Sequence, residues 1–279
     1  MTDPLVTTDW LARHLHDPGL IALDATYYLP TENRDARGEF RAAHVPGARF
    51  FDIDAIADDA TDLPHMVPSP GRFAQMVGAL GIANDSFLVF YDQRGVFSAP
   101  RGWWLMGLFG HDRAAVLDGG LPKWRREDRP VESGEPPAPV PAMFRPSLRA
   151  ARLRGLGDML ANVASGAELV LDARAAPRFR AEAPEPRAGL RGGHIPGAAN
   201  LPFAELLAAD GTMLPPASLR ARLAAAGADG SRPVVTSCGS GVSAAVITLA
   251  LARAGLPAGA LYDGSWAEWG GRNDTPIET

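Results

Sequence analysis

Cys238 is the single cysteine of the 279-residue chain. It stands in the run Val234-Val235-Thr236-Ser237-Cys238-Gly239-Ser240-Gly241-Val242-Ser243-Ala244. An apolar strand pattern leads into the thiol, three small residues follow it, and a helix rich in Ala, Val and Leu comes next. Backbone N–H groups of such a loop and helix start converge on one point and favour negative charge there. The same field favours thiolate over thiol, which is the nucleophilic form. A lone cysteine is most often a small buried apolar group. Gly239, Ser240 and Gly241 have no use in core packing, however, and suit a loop that folds around a ligand. The Ser240 hydroxyl, two residues after the thiol, is placed to bond a substrate or relay a proton, or else to hold the turn.

The elements that must position this thiol are legible as alternating short apolar runs and helical patterns. Leu20 to Asp24, Phe87 to Tyr91, Leu169 to Asp172 and Val234 to Ser237 read as buried strands. Arg72 to Leu80, Trp103 to Phe109, Leu219 to Ala226 and Val242 to Ala254 read as helices. The alternation predicts an α/β fold, with parallel sheets carrying helices on both faces and ligands at the C-terminal ends of strands.

The chain also repeats itself. His44-Val45-Pro46-Gly47-Ala48 recurs as His194-Ile195-Pro196-Gly197-Ala198, and Leu23-Asp24-Ala25 recurs as Leu171-Asp172-Ala173. Leu117-Asp118-Gly119-Gly120 with Trp124 matches Tyr262-Asp263-Gly264-Ser265 with Trp269. Landmarks in one order imply duplication of a domain of roughly 120 to 130 residues, an ordinary size for one fold. The proline-rich stretch from Pro130 to Pro141 forms neither helix nor ladder. The expected organisation is therefore a first domain over 1–130, a linker over 131–146 and a second domain over 147–279. Aligning the halves sets Asp92 where Cys238 stands. A carboxylate cannot do thiolate chemistry, so the first half is expected to be a non-catalytic copy that is structural or walls one side of the site.

Together the two His-x-Pro-Gly-Ala motifs, the Asp-Gly-Gly-Leu-x-x-Trp run and the segment Tyr262-Asp263-Gly264-Ser265-Trp266-Ala267-Glu268-Trp269 resemble the tandem-domain rhodanese family of sulfurtransferases. The resemblance covers nearly the whole chain and implies two tandem rhodanese-like domains. Within that family, thiosulfate sulfurtransferases typically carry Arg and Lys after the cysteine. The 3-mercaptopyruvate sulfurtransferases carry Gly-Ser-Gly-Val, as here at Gly239, Ser240, Gly241 and Val242. The charges agree with that division: thiosulfate is a dianion that a cationic loop rewards, and this loop is neutral.

The same resemblance points to Arg178 and Arg187 as the pair that grips a 2-oxo acid carboxylate, for which a guanidinium fork is suited. Ala181-Glu182 stands where relatives have Gly-Thr, and Arg180 is expected to be solvated. The resemblance further implicates an Asp and a His of the first half, assigned here to Asp35 and His44. His65 matches a loop bordering the cleft, while Phe97 replaces a tyrosine common among relatives. His44 also has a counterpart in His194, which argues for a turn-forming role.

The implied reaction is a double displacement through a Cys238 persulfide, with the amides of Gly239 to Val242 stabilising it. The donor is 3-mercaptopyruvate, and the acceptor is a thiol, carried on a small molecule or a thioredoxin-like protein, or cyanide in an assay. Thiosulfate as donor and a non-enzymatic persulfide sensor are the alternatives. A Cys-x5-Arg phosphatase is excluded because the sixth residue after Cys238 is Ala244. No metal-spaced cluster, GxGxxG or P-loop calls for a cofactor. A net charge of -5 and pI near 5.7 disfavour nucleic acid or anionic membrane as partners. One cysteine, no signal-peptide pattern before Trp10 and no apolar run long enough to span a bilayer predict a soluble, cytoplasmic enzyme.

Overall fold

A computed structural model describes residues 3–279. Ten strands form two parallel sheets: β1 (Leu5–Val6), β2 (Leu20–Asp24), β3 (Arg49–Phe50), β4 (Phe87–Tyr91) and β5 (Ala114–Leu117) in the first half. The second half holds β6 (Leu153–Arg154), β7 (Leu169–Asp172), β8 (Ala199–Asn200), β9 (Val234–Ser237) and β10 (Ala260–Tyr262). The strand orders are β1-β5-β4-β2-β3 and β6-β10-β9-β7-β8, the same path taken twice. Every pairing in both sheets is parallel. Strands β7 and β9 are buried along their whole length, as expected of parallel strands covered on both faces.

Duplication extends to individual atoms. Trp124 Nε1 donates to Pro130 O and Trp269 Nε1 to Pro276 O, both at 2.7 Å. His44 pairs backbone to backbone with Glu132, and His194 does so with Glu278. The helices begin near the expected positions, at Pro70–Ala79, Ala99–Leu108, Pro216–Ala225 and Ala244–Arg253. Val242 and Ser243 remain in the loop, because the turn that carries Cys238 must close before the helix can start.

The stretch between the two sheets lies along the first half. Ala142 N donates to Gly78 O at 2.9 Å and Ser147 N to Phe109 O at 2.8 Å, while Phe144 is buried against Phe73. One apolar cluster runs through both halves, with Phe97, Trp104 and Leu105 joined to Val242, Ala245 and Leu249. Its spine is the packing of helix Ala99–Leu108 on helix Ala244–Arg253. Trp104, Trp266 and Trp269 are buried, the latter two in a separate cluster of the second half. No helix among the described residues is long and apolar enough to cross a membrane.

Candidate active site

A cavity of about 230 Å³ lies where the C-terminal ends of both sheets' central strands meet. The second half supplies Ala173, Arg174 and Ala175 after β7, and Cys238, Gly239, Ser240, Val242 and Ser243 after β9. The first half supplies Tyr27 and Leu29 after β2, and Arg94 and Phe97 after β4. Such strand ends are where parallel sheets hold ligands. A larger cavity, about 400 Å³ and lined by Trp103, Trp104 and Arg152 among others, contains none of the Cys238 loop. Size does not locate the chemistry here.

Cys238 is 2% exposed, and its loop is pinned from behind. Cys238 N donates to Ser265 Oγ at 3.2 Å, while Trp266 N and Ala267 N donate to the carbonyls of Cys238 and Gly239. The amides of Gly239, Ser240, Gly241, Val242, Ser243 and Ala244 have no acceptor among the described residues. Gly241 sits at φ +78°, in the left-handed region where glycine is at ease. A Cβ there would lie 3.1 Å from both Arg101 Nη1 and Asp263 O.

The first half shows what such a loop holds. Asp92, wholly buried at the position matching Cys238, accepts from Arg94 N at 2.9 Å through Oδ1. Its Oδ2 accepts from Phe97 N, Ser98 N and Ala99 N at 2.8 to 2.9 Å. The matching amides beside Cys238 are those of Ser240, Ser243, Ala244 and Ala245. Ala245 N is bonded to Val242 O at 3.2 Å; the other three are open. One loop is filled by its own carboxylate, and the other presents a thiol to the same kind of anion cradle.

Four guanidiniums line the cavity. Buried Arg174 binds Asp172 at 2.7 Å and Glu185 at 2.8 Å, with Trp266 beneath it at 4.3 Å. Burial opposes its charge, and the Asp172 and Glu185 carboxylates outweigh that and raise its pKa. Glu185, itself buried, also binds Arg178. Arg94 pairs with Glu32 at 2.7 Å. Arg187 touches no carboxylate, and its Nη2 donates to Tyr27 Oη at 3.0 Å. Burial pushes the Tyr27 phenol above its usual pKa despite Arg187, so the hydroxyl keeps its proton and remains a donor. Arg178 Nη2 lies 3.1 Å from where a Cβ on residue 239 would sit; glycine lets the guanidinium rest on the loop.

The first-half candidates require correction. Asp35 caps helix Ala36–Ala42 by accepting from Gly38 N at 2.9 Å, and it borders a neighbouring cavity rather than that of Cys238. His44 is buried on the sheet's far side, with Nδ1 at 2.8 Å from Phe40 O and its ring stacked on Phe40. Its counterpart His194 does the same with Phe179. The His-x-Pro-Gly-Ala histidine is a turn element in both halves.

A different first-half pair, Asp54 and His65, reaches the backbone of the Cys238 loop. His65 Nε2 lies 2.9 Å from Asp54 Oδ1 and Nδ1 lies 3.2 Å from the carbonyl of Ser240. Its ring meets Tyr27 edge-on at 4.5 Å. Both ring nitrogens therefore face acceptor oxygens. The wholly buried Arg101 fastens this assembly across the domain boundary. Its Nη2 reaches Asp263 Oδ1 at 2.7 Å and the carbonyl of His65, and its Nη1 reaches Gly241 O at 3.3 Å. Asp263 Oδ2 in turn accepts from Val67 N at 2.6 Å.

Among the other expected residues, Gly239, Ser240, Val242, Arg178, Arg187 and Phe97 line the cavity, Gly241 does not and instead lies against Arg101 and Asp263, and Arg180 is exposed against Glu182. Sequence reasoning missed Tyr27, Asp54, Glu32, Arg94 and Glu185. The two that follow strands β2 and β4, Tyr27 and Arg94, could have been found by treating every strand end as a site position.

Comparison with known proteins agrees with this architecture. The Rhodanese-like domain family model matches twice, over residues 7–127 and 156–272. The 3-mercaptopyruvate sulfurtransferase of Escherichia coli K12 is 43% identical over 277 residues, covering 98% of this chain and 97% of that protein. The thiosulfate sulfurtransferase of Bos taurus is also 43% identical, covering 95% and 91%. Identity alone therefore does not choose a donor. The crystal structure of SseA from Escherichia coli superimposes with a TM-score of 0.86 at 39% identity, covering 95% of this chain and 99% of that one. Two domain matches, full-length relatives and the doubled sheet together place this chain in the rhodanese family.

Proposed function

We infer that this protein is a 3-mercaptopyruvate sulfurtransferase, working by double displacement through a Cys238 persulfide. The observation that carries the reading is the cavity itself: a thiol in an open amide cradle, facing one guanidinium, Arg187, that lacks a carboxylate partner. A monocarboxylate with a transferable sulfur matches that pairing. Arg187 takes the donor's carboxylate, with Arg178 and the Tyr27 hydroxyl beside it.

The Cys238 thiolate attacks the donor's sulfur and the S–S bond forms as the C–S bond breaks. The electrons of that bond leave on pyruvate as its enolate. The donor's thiol proton is delivered to the enolate carbon by way of Ser240, which the Asp54–His65 pair holds in place. The outer sulfur of the persulfide carries negative charge, and the amides of Ser240, Ser243 and Ala244 stabilise it as the first-half loop stabilises Asp92. An acceptor thiolate then attacks the outer sulfur and restores the Cys238 thiolate. A small thiol or a thioredoxin-like protein fits this role, in the reducing cytoplasm that a single free cysteine suits.

The second reading, thiosulfate as the main donor, draws on the Bos taurus relative. The neutral loop from Gly239 to Val242 weighs against it. The deciding experiment is kcat/KM for 3-mercaptopyruvate against thiosulfate with one acceptor; a ratio favouring thiosulfate would overturn the proposal.

A further inference from the structure

The mouth of the cavity carries an ion pair that the reaction above does not use. Glu32 ends the turn Pro30–Glu32, and Arg94 comes from the loop after β4 that Asp92 fills. Both line the cavity. Glu32 holds the turn with one oxygen, accepting from Leu29 N at 2.7 Å, and holds Arg94 Nη1 with the other at 2.7 Å. The Arg94 guanidinium lies over the Phe97 ring, 4.5 Å from its centroid. Its Nε and Nη2 have no partner among the described residues. The first half's loop, locked by Asp92, thus presents a cation to the other half's cavity.

Charge balance gives this pair a consequence. Asp172 and Glu185 cover Arg174 and Arg178, and Glu32 covers Arg94, so Arg187 alone is uncompensated. Resting on the donor-site reading, we propose that the Glu32–Arg94 pair sets the charge selectivity of the sulfur donor. With Glu32 in place the cavity offers one free positive charge and takes a monocarboxylate. Without the Glu32 charge, Arg94 is released to the cavity, and a compact dianion such as thiosulfate has two cations to meet it. The dianion's larger desolvation penalty makes that second cation decisive.

Glu32→Gln removes the charge and keeps an oxygen for Leu29 N, so the turn is retained. Steady-state rates with thiosulfate and 3-mercaptopyruvate, using one acceptor, are compared for wild type, Glu32→Gln, Arg94→Gln and the double variant. Glu32→Gln should raise the thiosulfate to mercaptopyruvate ratio of kcat/KM about tenfold, as expected for a half-exposed charge. That gain should shrink as salt rises. Arg94→Gln strands the Glu32 carboxylate at the mouth and should lower the ratio, and the double variant should return to near the wild-type value. As a readout without turnover, sulfate should bind Glu32→Gln protein that also carries Cys238→Ser about tenfold more tightly than the Cys238→Ser parent, with pyruvate binding unchanged. Ratios that stay together across all four proteins, or sulfate binding that ignores Glu32→Gln, would overturn the proposal. Failure of wild type to use mercaptopyruvate would instead strike the underlying reading, which the sulfate measurement does not depend on.

Discussion

Arg187 and Arg178 line the same cavity, yet their replacement should read out differently. Arg187 spends one donor on Tyr27 Oη and meets no carboxylate, so Arg187→Ala removes a substrate contact and little else. A charge-assisted guanidinium–carboxylate contact contributes about 2 to 3 kcal/mol, which predicts a loss of about 30- to 150-fold in kcat/KM for 3-mercaptopyruvate. The carboxylate persists unchanged in the departing pyruvate, so the loss should fall on KM with kcat nearly preserved. Thermal stability should stay close to wild type. Arg178→Ala removes one of the two cations on buried Glu185, leaving Arg174 to hold it alone. That variant should weaken activity and also lower folding stability by about 2 kcal/mol. Pyruvate release under matched acceptor and a thermal melt for each variant make the comparison. An Arg187→Ala protein with wild-type kcat/KM and an intact fold would refute the assignment of the carboxylate site.

Three further outcomes follow from single groups. Asp24 is buried beside Thr26 and Gln93 with no cation, and burial raises its pKa to about 7; the folded state therefore holds a proton the unfolded chain releases, and stability should fall as pH rises from about 4 to 7. Asp24→Asn should flatten that decline in melts across the range, and an unchanged slope would contradict the assignment. Gly241→Ala forces a side chain into the left-handed region against Arg101 and Asp263, so kcat should drop at least tenfold with KM little changed, about 1.4 kcal/mol or more of transition-state stabilisation; wild-type kcat would show that the loop geometry is not what matters. Asp92→Ala strips four amides, three of them buried, of their acceptor and should cost about 3 kcal/mol of stability, with sulfur transfer per folded molecule retained; a wild-type melt would refute the cradle.

Much of this molecule was legible because its information is local. The strands over Leu20–Asp24, Phe87–Tyr91, Leu169–Asp172 and Val234–Ser237 all open as apolar runs without alternation, the pattern of a strand buried on both faces. The Cys238 loop is a contiguous segment, so its chemistry could be read directly from residue order. The repeat carried its own control, since a histidine present in both halves is explained by the turn that both halves share. His65 was expected to border the cleft and does so, but Asp54 was missed, because the pair reaches the site only through tertiary contacts: Arg101 holds the His65 carbonyl, and Asp263 holds Val67. Nothing in the spacing from Asp54 to Ser240 announces that meeting. Arg94 was hidden for the opposite reason: it belongs to the loop that Asp92 disarms, and a loop without a nucleophile still has a side chain to lend its neighbour.

The central claim is that Cys238 carries the transferred sulfur. Incubating the protein with 3-mercaptopyruvate and no acceptor, under non-reducing conditions, should release one equivalent of pyruvate. Mass spectrometry should then show one added sulfur on the peptide containing Cys238, lost on addition of a thiol. Pyruvate release without that adduct, or an adduct that no thiol acceptor discharges, would contradict the double displacement.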